Sequence, residues 1–115
     1  AVAVIDRFRF LHRDIIVHRF ANVTEPCQPL VMDAVGQAAA QLGYPSMRLP
    51  SGAGHDAVYV APTGPIGMIF IPCLGGRSHC PEEWIEPQQL LDGTRVLYQT
   101  LVMLDRALAA QETGC

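Results

Sequence analysis

The segment Ile66 to Ile71 reads Ile-Gly-Met-Ile-Phe-Ile, an apolar run without a polar side chain, set between Pro65 and Pro72. A strand with one wet face alternates apolar and polar residues, so this run predicts a strand covered on both faces. Helices packed on a sheet supply such cover. Helical periodicity lies on both sides of the run. Leu30, Ala34, Ala38 and Leu42 recur every four residues beside Val31, Val35 and Ala39, with Pro29 suited to a first turn and Gly43 to a left-handed stop. The alanines predict close approach to whatever this helix packs on. A longer helix is expected from Pro87 to about Ala109, with Leu90, Thr94, Leu97, Leu101, Leu104 and Leu108 as one apolar seam and Leu91, Tyr98 and Val102 beside it. Gly93 stands in that pattern as a mild defect, costing about 1 kcal/mol against alanine if exposed.

Asp14 to Ala21 is short and β-branched and reads as a strand, whereas residues 1–13 fit either a strand or a helix end. Tyr44 to Pro50 reads as a short extended piece. The order strand, helix, strand, helix predicts an α/β fold, a mixed sheet with packed helices. Ligands in such folds bind beyond the carboxyl ends of strands, which directs attention to the loop after Ile71. Composition narrows the function classes. With half the residues apolar and 17% charged, the chain is globular, and a net charge of −3 without a basic run argues against a nucleic-acid partner. Every apolar run is interrupted before the length of a membrane span. Cys27, Cys73, Cys80 and Cys115 are irregularly spaced, which predicts reduced thiols and a cytoplasmic location.

Two loops carry chemistry-bearing residues. Gly75-Gly76-Arg77-Ser78-His79-Cys80-Pro81-Glu82-Glu83 places a histidine on a glycine-rich loop after the apolar strand. An imidazole there can reach a metal, and Glu82 or Glu83 can orient it as an acceptor; a hydrogen-bonded surface histidine is the plainer alternative. The run Ser51-Gly52-Ala53-Gly54-His55-Asp56-Ala57 is small and flexible. It can present N–H groups to a carboxylate or developing oxyanion, or simply cap the next helix through Asp56. A zinc site from Cys73, His79 and Cys80 matches no recognised ligand spacing. His12 reads as a surface histidine, His18 as a partly buried strand histidine, and Trp84 as core or loop packing.

Taken together, SGAGHDA at 51–57, GMIFIP at 67–72 and GRSHCPEEW at 76–84 resemble the amidase branch of the two-domain metallopeptidases, which comprises N-carbamoyl-L-amino-acid hydrolase, β-ureidopropionase and allantoate amidohydrolase. The resemblance covers most of the chain. It implies hydrolysis of the C–N bond of an N-carbamoyl amino acid or related ureido compound at a centre of two divalent metal ions (Zn, Mn, Co or Ni), where a bridging water attacks with help from a glutamate base. It further implies that His79 is a terminal metal ligand, that Glu83 supports it, and that Gly52, Ala53, Gly54 and His55 lie against the substrate. Residues 1–21 would end a smaller dimerisation domain and residues 22–115 would belong to the catalytic domain. Cys73 and Cys80 depart from the family, which often has serine at both places. The remaining metal ligands, the glutamate base and the groups that grip a substrate carboxylate have no counterpart here. The chain is therefore expected to be a C-terminal part of a longer homo-oligomeric enzyme, inactive alone, that associates with itself or with a missing N-terminal half. A non-catalytic association module on the same fold is the alternative.

Overall fold

The computed structural model describes residues 2–4, 27–51 and 54–114. The expected strand at Asp14–Ala21, His12, His18, Gly52, Ala53 and Cys115 lie outside the described residues. The elements run β1 (Val2–Val4), α1 (Pro29–Gln41), β2 (Ser46–Arg48), a short α2 (Ala57–Val60) continued by a 3-10 turn (Ala61–Thr63), β3 (Ile69–Phe70), a second 3-10 turn (Leu74–Gly76) and α3 (Pro87–Thr113). The three strands form one sheet in the order β2-β1-β3. β1 pairs antiparallel with β2 (Val2 opposite Arg48) and parallel with β3 (Val2 opposite Ile69). This is a small mixed sheet in a mostly helical α/β arrangement.

The start and stop of α1 follow its sequence. Pro29 occupies the first turn, where its missing N–H costs nothing. At the other end Gly43 adopts φ +79°, the left-handed conformation. There the Tyr44 N–H reaches the Ala39 carbonyl at 2.9 Å and the Gly43 N–H reaches Ala40 at 3.1 Å, the paired bonds of a Schellman stop. Tyr44, just past the stop, packs on the core and donates its hydroxyl to Asp92 of α3 at 2.8 Å. The Gln88 side-chain amide donates to the same carboxylate oxygen at 2.9 Å. An ion pair between Asp33 of α1 and Arg48 ties the helix to β2. α3 begins at Pro87, where the Gln89 side chain accepts the Glu86 N–H at 3.2 Å.

Val35, Ala38 and Ala39 of α1 and Val96 of α3 form the buried core, with Met32, Tyr44, Ile69 and Met103 packed around them. The alanines do bring α1 close to its neighbour. The apolar seam expected on α3 is not the buried one. Gly93, Val96 and Thr100 are buried, whereas Leu90, Leu97, Leu101 and Leu108 remain between 48% and 57% exposed. Thr100 is tolerated inside because its hydroxyl donates to the Val96 carbonyl at 2.7 Å. The helix therefore lays its small residues on α1 and turns its leucines away.

β3 is shorter and wetter than the run Ile66 to Ile71 predicts. Only Ile69 and Phe70 pair, both half-buried. The Ile66 carbonyl is occupied by the Gln28 N–H at 3.0 Å, which pins the residues before β3 to the start of α1 instead of to a strand. Gly67 passes so close to Val31 that a Cβ there would collide with its methyl.

Gly93 is also re-read by the structure. It is buried, and a Cβ on it would run into Cγ2 of Ile71, the residue that follows β3. The gain in helix propensity from alanine, about 1 kcal/mol, applies only at an exposed site. Gly93→Ala is expected to lower stability by about 1–3 kcal/mol through overpacking, read as a fall in the urea midpoint at unchanged m-value. An unchanged or higher midpoint would remove the close approach assigned to this residue.

Candidate functional site

Beyond Ile71, Pro72 ends the sheet and residues 73–84 form a closed loop. The Leu74 N–H bonds the Trp84 carbonyl at 2.8 Å and seals its base. Gly75 and Gly76 both have positive φ, 63° and 65°, a succession that side chains disfavour and glycine permits. The Gly76 N–H returns to the Cys73 carbonyl at 3.1 Å, and the Glu83 N–H to the Cys80 carbonyl at 3.0 Å. Of the core or loop packing expected for Trp84, the core is excluded: the side chain is 57% exposed, with Leu74 at 60%.

His79 lies at the tip, exposed, with φ +58°, the one non-glycine at positive φ among the described residues. Left-handed backbone costs an ordinary residue about 1–2 kcal/mol. Glu83 offsets that cost. Its Oε2 accepts the His79 N–H at 2.9 Å and its Oε1 accepts the Ser78 hydroxyl at 3.3 Å. In place of the orientation of the ring expected from Glu82 or Glu83, the Glu83 carboxylate bonds the main chain of His79 and the Ser78 hydroxyl. The imidazole makes no hydrogen bond among the described residues, which leaves both ring nitrogens available.

The second loop is described from Gly54. His55 is exposed, and its Nδ1 accepts the Ala57 N–H at 3.0 Å. The expected cap on α2 thus comes from His55 and not from Asp56, whose side chain makes no capping bond. Because Nδ1 is used as an acceptor, the neutral ring carries its proton on Nε2 and presents a donor there. Beside it α2 exposes Tyr59 at 83%.

A protein-bound metal needs three or four donors. Among the described residues no three His, Cys, Asp or Glu side chains converge in that way. His79 by its exposure fits one ligand of a centre completed by other groups. The thiols do not complete it. Cys27, Cys73 and Cys80 are unpaired. Burial raises the Cys73 thiol above its ordinary range, assisted by the Glu83 carboxylate and by Cys80, and this disfavours the thiolate that a metal or a nucleophilic role requires.

A mostly helical layer on a small mixed sheet, with an exposed histidine beyond a parallel strand, is consistent with part of an α/β hydrolase-like domain of the family that the sequence matches. The chain belongs to peptidase family M20/M25/M40, whose model matches residues 12–103. It is 41% identical over 92 residues to the N-carbamoyl-L-amino-acid amidohydrolase of Paenarthrobacter aurescens, covering 78% of this chain and 22% of that protein. It is 47% identical over 78 residues to the N-carbamoyl-L-amino acid amidohydrolase of Geobacillus stearothermophilus, covering 68% and 19%. A ureidoglycolate hydrolase of Arabidopsis thaliana is 41% identical over 75 residues, covering 65% and 16%. The chain spans about a fifth of the length of the first two of these relatives. No solved structure matches it. No helix among the described residues is long and apolar enough to cross a membrane.

The backbone at His79 can be tested without reference to chemistry. His79→Gly relieves the left-handed conformation and His79→Ala does not, so the glycine variant is expected to be the more stable by about 1 kcal/mol in urea unfolding. Equal stabilities would remove the left-handed residue from the description of the loop.

Proposed function

We propose that this chain is a C-terminal part of the catalytic domain of a metal-dependent amidohydrolase that cleaves the C–N amide bond of an N-carbamoyl amino acid or a related ureido compound. The observation that carries the proposal is the placement of His79. Its exposed, unbonded imidazole stands on a hydrogen-bonded loop beyond a parallel strand, in a chain 41–47% identical to proteins named for that reaction.

In this reading His79 donates one ring nitrogen to one of two divalent cations (zinc, manganese, cobalt or nickel). When bound, the cations supply a water of lowered pKa and polarise the carbonyl oxygen of the substrate. Glu83 holds the main chain of His79, so that only the side-chain torsions of the ring remain to be ordered on binding. Gly52, Ala53, Gly54 and His55 lie against the substrate. His55 spends Nδ1 on Ala57, and so offers the Nε2 proton to a carboxylate or carbonyl oxygen of the ligand. The other ligands and the glutamate base come from polypeptide outside this chain. Residues 22–115 then belong to the catalytic domain and residues 1–21 to the end of a smaller dimerisation domain, with β1 tied to β2 and β3. The proposed setting is a cytoplasmic homo-oligomer.

The outward leucines of α3 support an incomplete domain. A stripe of exposed leucines along one face is more than a small soluble surface ordinarily presents. Further polypeptide of the domain, or a second copy, is proposed to cover it. The same stripe favours the second reading, a non-catalytic association module. An upstream reading frame with additional His, Asp and paired Glu codons supports the enzyme, and a start codon directly before Ala1 supports the module.

Three measurements test the proposal. The purified 115-residue chain with added manganese or cobalt is expected to bind metal weakly and leave N-carbamoyl amino acids intact; turnover by mass-verified chain would show that the centre needs no further ligands. In a longer protein containing it, Glu83→Gln is expected to weaken metal binding or activity by about 10–100-fold, and no change would dismiss the support role of Glu83. The isolated chain is also expected to self-associate with concentration in sedimentation, and Leu97→Gln with Leu101→Gln to shift it towards monomer. Association that survives the double substitution would place the contact elsewhere.

A further inference from the structure

The outward face of α3 has a register of its own. Leu90, Thr94, Leu97, Leu101, Leu104 and Leu108 follow one another at steps of four, three, four, three and four residues, the spacing at which two helices meet along a coiled-coil seam. The steps read the same from either end, over a length of about 27 Å. Four of the leucines are 48–57% exposed and Leu104 is half-buried. Thr94, the polar member, already donates its hydroxyl to the Leu90 carbonyl at 2.7 Å, so covering it strands no donor. The two borders of the seam differ. Gly93 and Thr100 line one and are buried on the side of α1. Leu91 and Tyr98 line the other, 44% and 69% exposed, and Asp105 continues that border with Arg95 just outside it, both exposed.

We propose that this seam is a docking surface for a second copy of the chain, with the two α3 helices antiparallel about a two-fold axis. Leu90 then lies opposite the partner's Leu108, Thr94 opposite the partner's Leu104 and Leu97 opposite the partner's Leu101, so every position of the seam meets another of its members. Orientation follows from the borders. Parallel helices set unlike borders together, which would bring the Leu91–Tyr98 border of one copy against the Gly93–Thr100 border of the other, where α1 already stands. Antiparallel helices set like borders together. Leu91 and Tyr98 then extend the apolar cover, and Arg95 comes opposite the partner's Asp105, an opposite-charge contact that the two-fold axis repeats. Within its own chain Arg95 meets Asp92 only at 3.6 Å and largely in solvent, so it can turn to the partner. Such a rim pair fixes register more than it adds affinity, and the leucines supply the attraction. The inference gives an orientation to the self-association proposed above and rests on it, but not on the proposed hydrolysis.

The test uses the 115-residue chain with Cys27, Cys73, Cys80 and Cys115 replaced by serine, after far-UV circular dichroism and sedimentation have matched it to the parent. Into it is placed either Leu90→Cys or Leu108→Cys, and the samples are oxidised and resolved without reductant. The expected result is a disulfide-linked dimer in the equimolar mixture of the two variants and little in either alone, because like positions stand about 27 Å apart in the antiparallel pair. A second measurement needs no cysteine. In the parent chain Asp105→Arg is expected to weaken dimerisation about tenfold at low salt by turning both rim contacts repulsive, and Arg95→Asp added to it to restore most of the loss. Links within Leu90→Cys alone and within Leu108→Cys alone, scarce in the mixture, would replace the antiparallel pair by a parallel one. Association with no link in any sample, and no response to Asp105→Arg, would move the contact off this seam. A parent chain that stays monomeric would remove the self-association itself and leave the seam to further polypeptide of the domain.

Discussion

The loop of His79 is anchored to the rest of the fold at one close approach, that of α3 to the end of β3 at Gly93. The absence of a side chain there lets Ile71 sit against the helix, and Ile71 is the last residue before Pro72 turns the chain into the loop. The same face of α3 continues through Val96 to Thr100, so the contact that locates the loop is continuous with the contact that buries α1. Packing between helices of small residues is short-range and steric. It tolerates little added volume, and it transmits displacement without much attenuation.

Electrostatics adds a second, softer layer. Asp92 gathers the Tyr44 hydroxyl and the Gln88 amide, and Arg95 stands 3.6 Å from the same carboxylate oxygen. These groups tie the exit of α1 to the first half of α3. Exposed ion pairs contribute little singly, and the Arg95 contact is mostly in solvent. The part-buried tyrosine bond is the stronger member, because its donor and acceptor are withdrawn from water together.

Element boundaries were legible where proline and glycine set them. Pro29, Gly43 and Pro87 each mark the residue where their backbone restrictions predict a start or a stop. Faces were less legible. The leucines of α3 keep a strict spacing and read as a core seam, yet the buried face is the one with Gly93 and Thr100. Hydropathy ranks leucine above glycine, whereas helix proximity reverses that order when two backbones must approach. The strand at 66–71 was over-extended for a related reason: Gly67 and the Ile66 carbonyl are committed to α1, a tertiary demand with no local signature. In the site, the position of His79 beyond the strand could be read directly. That Glu83 grips the main chain, and that His55 caps α2, could not, since both depend on a loop conformation and not on residue type.

The left-handed backbone at His79 narrows what evolution or design can place there. Asparagine and aspartate tolerate that conformation better than most residues, because their short polar side chains can bond the nearby backbone. Glutamate, cysteine and β-branched residues would push the loop towards an ordinary turn and draw Glu83 from its grip. In the proposed centre, with His79 as a ligand, aspartate is therefore the most accessible alternative donor at this position. Exchange of a nitrogen for an oxygen donor would tilt selectivity towards harder cations without rebuilding the loop. Handedness of one residue thus restricts the routes by which such a centre could change its metal.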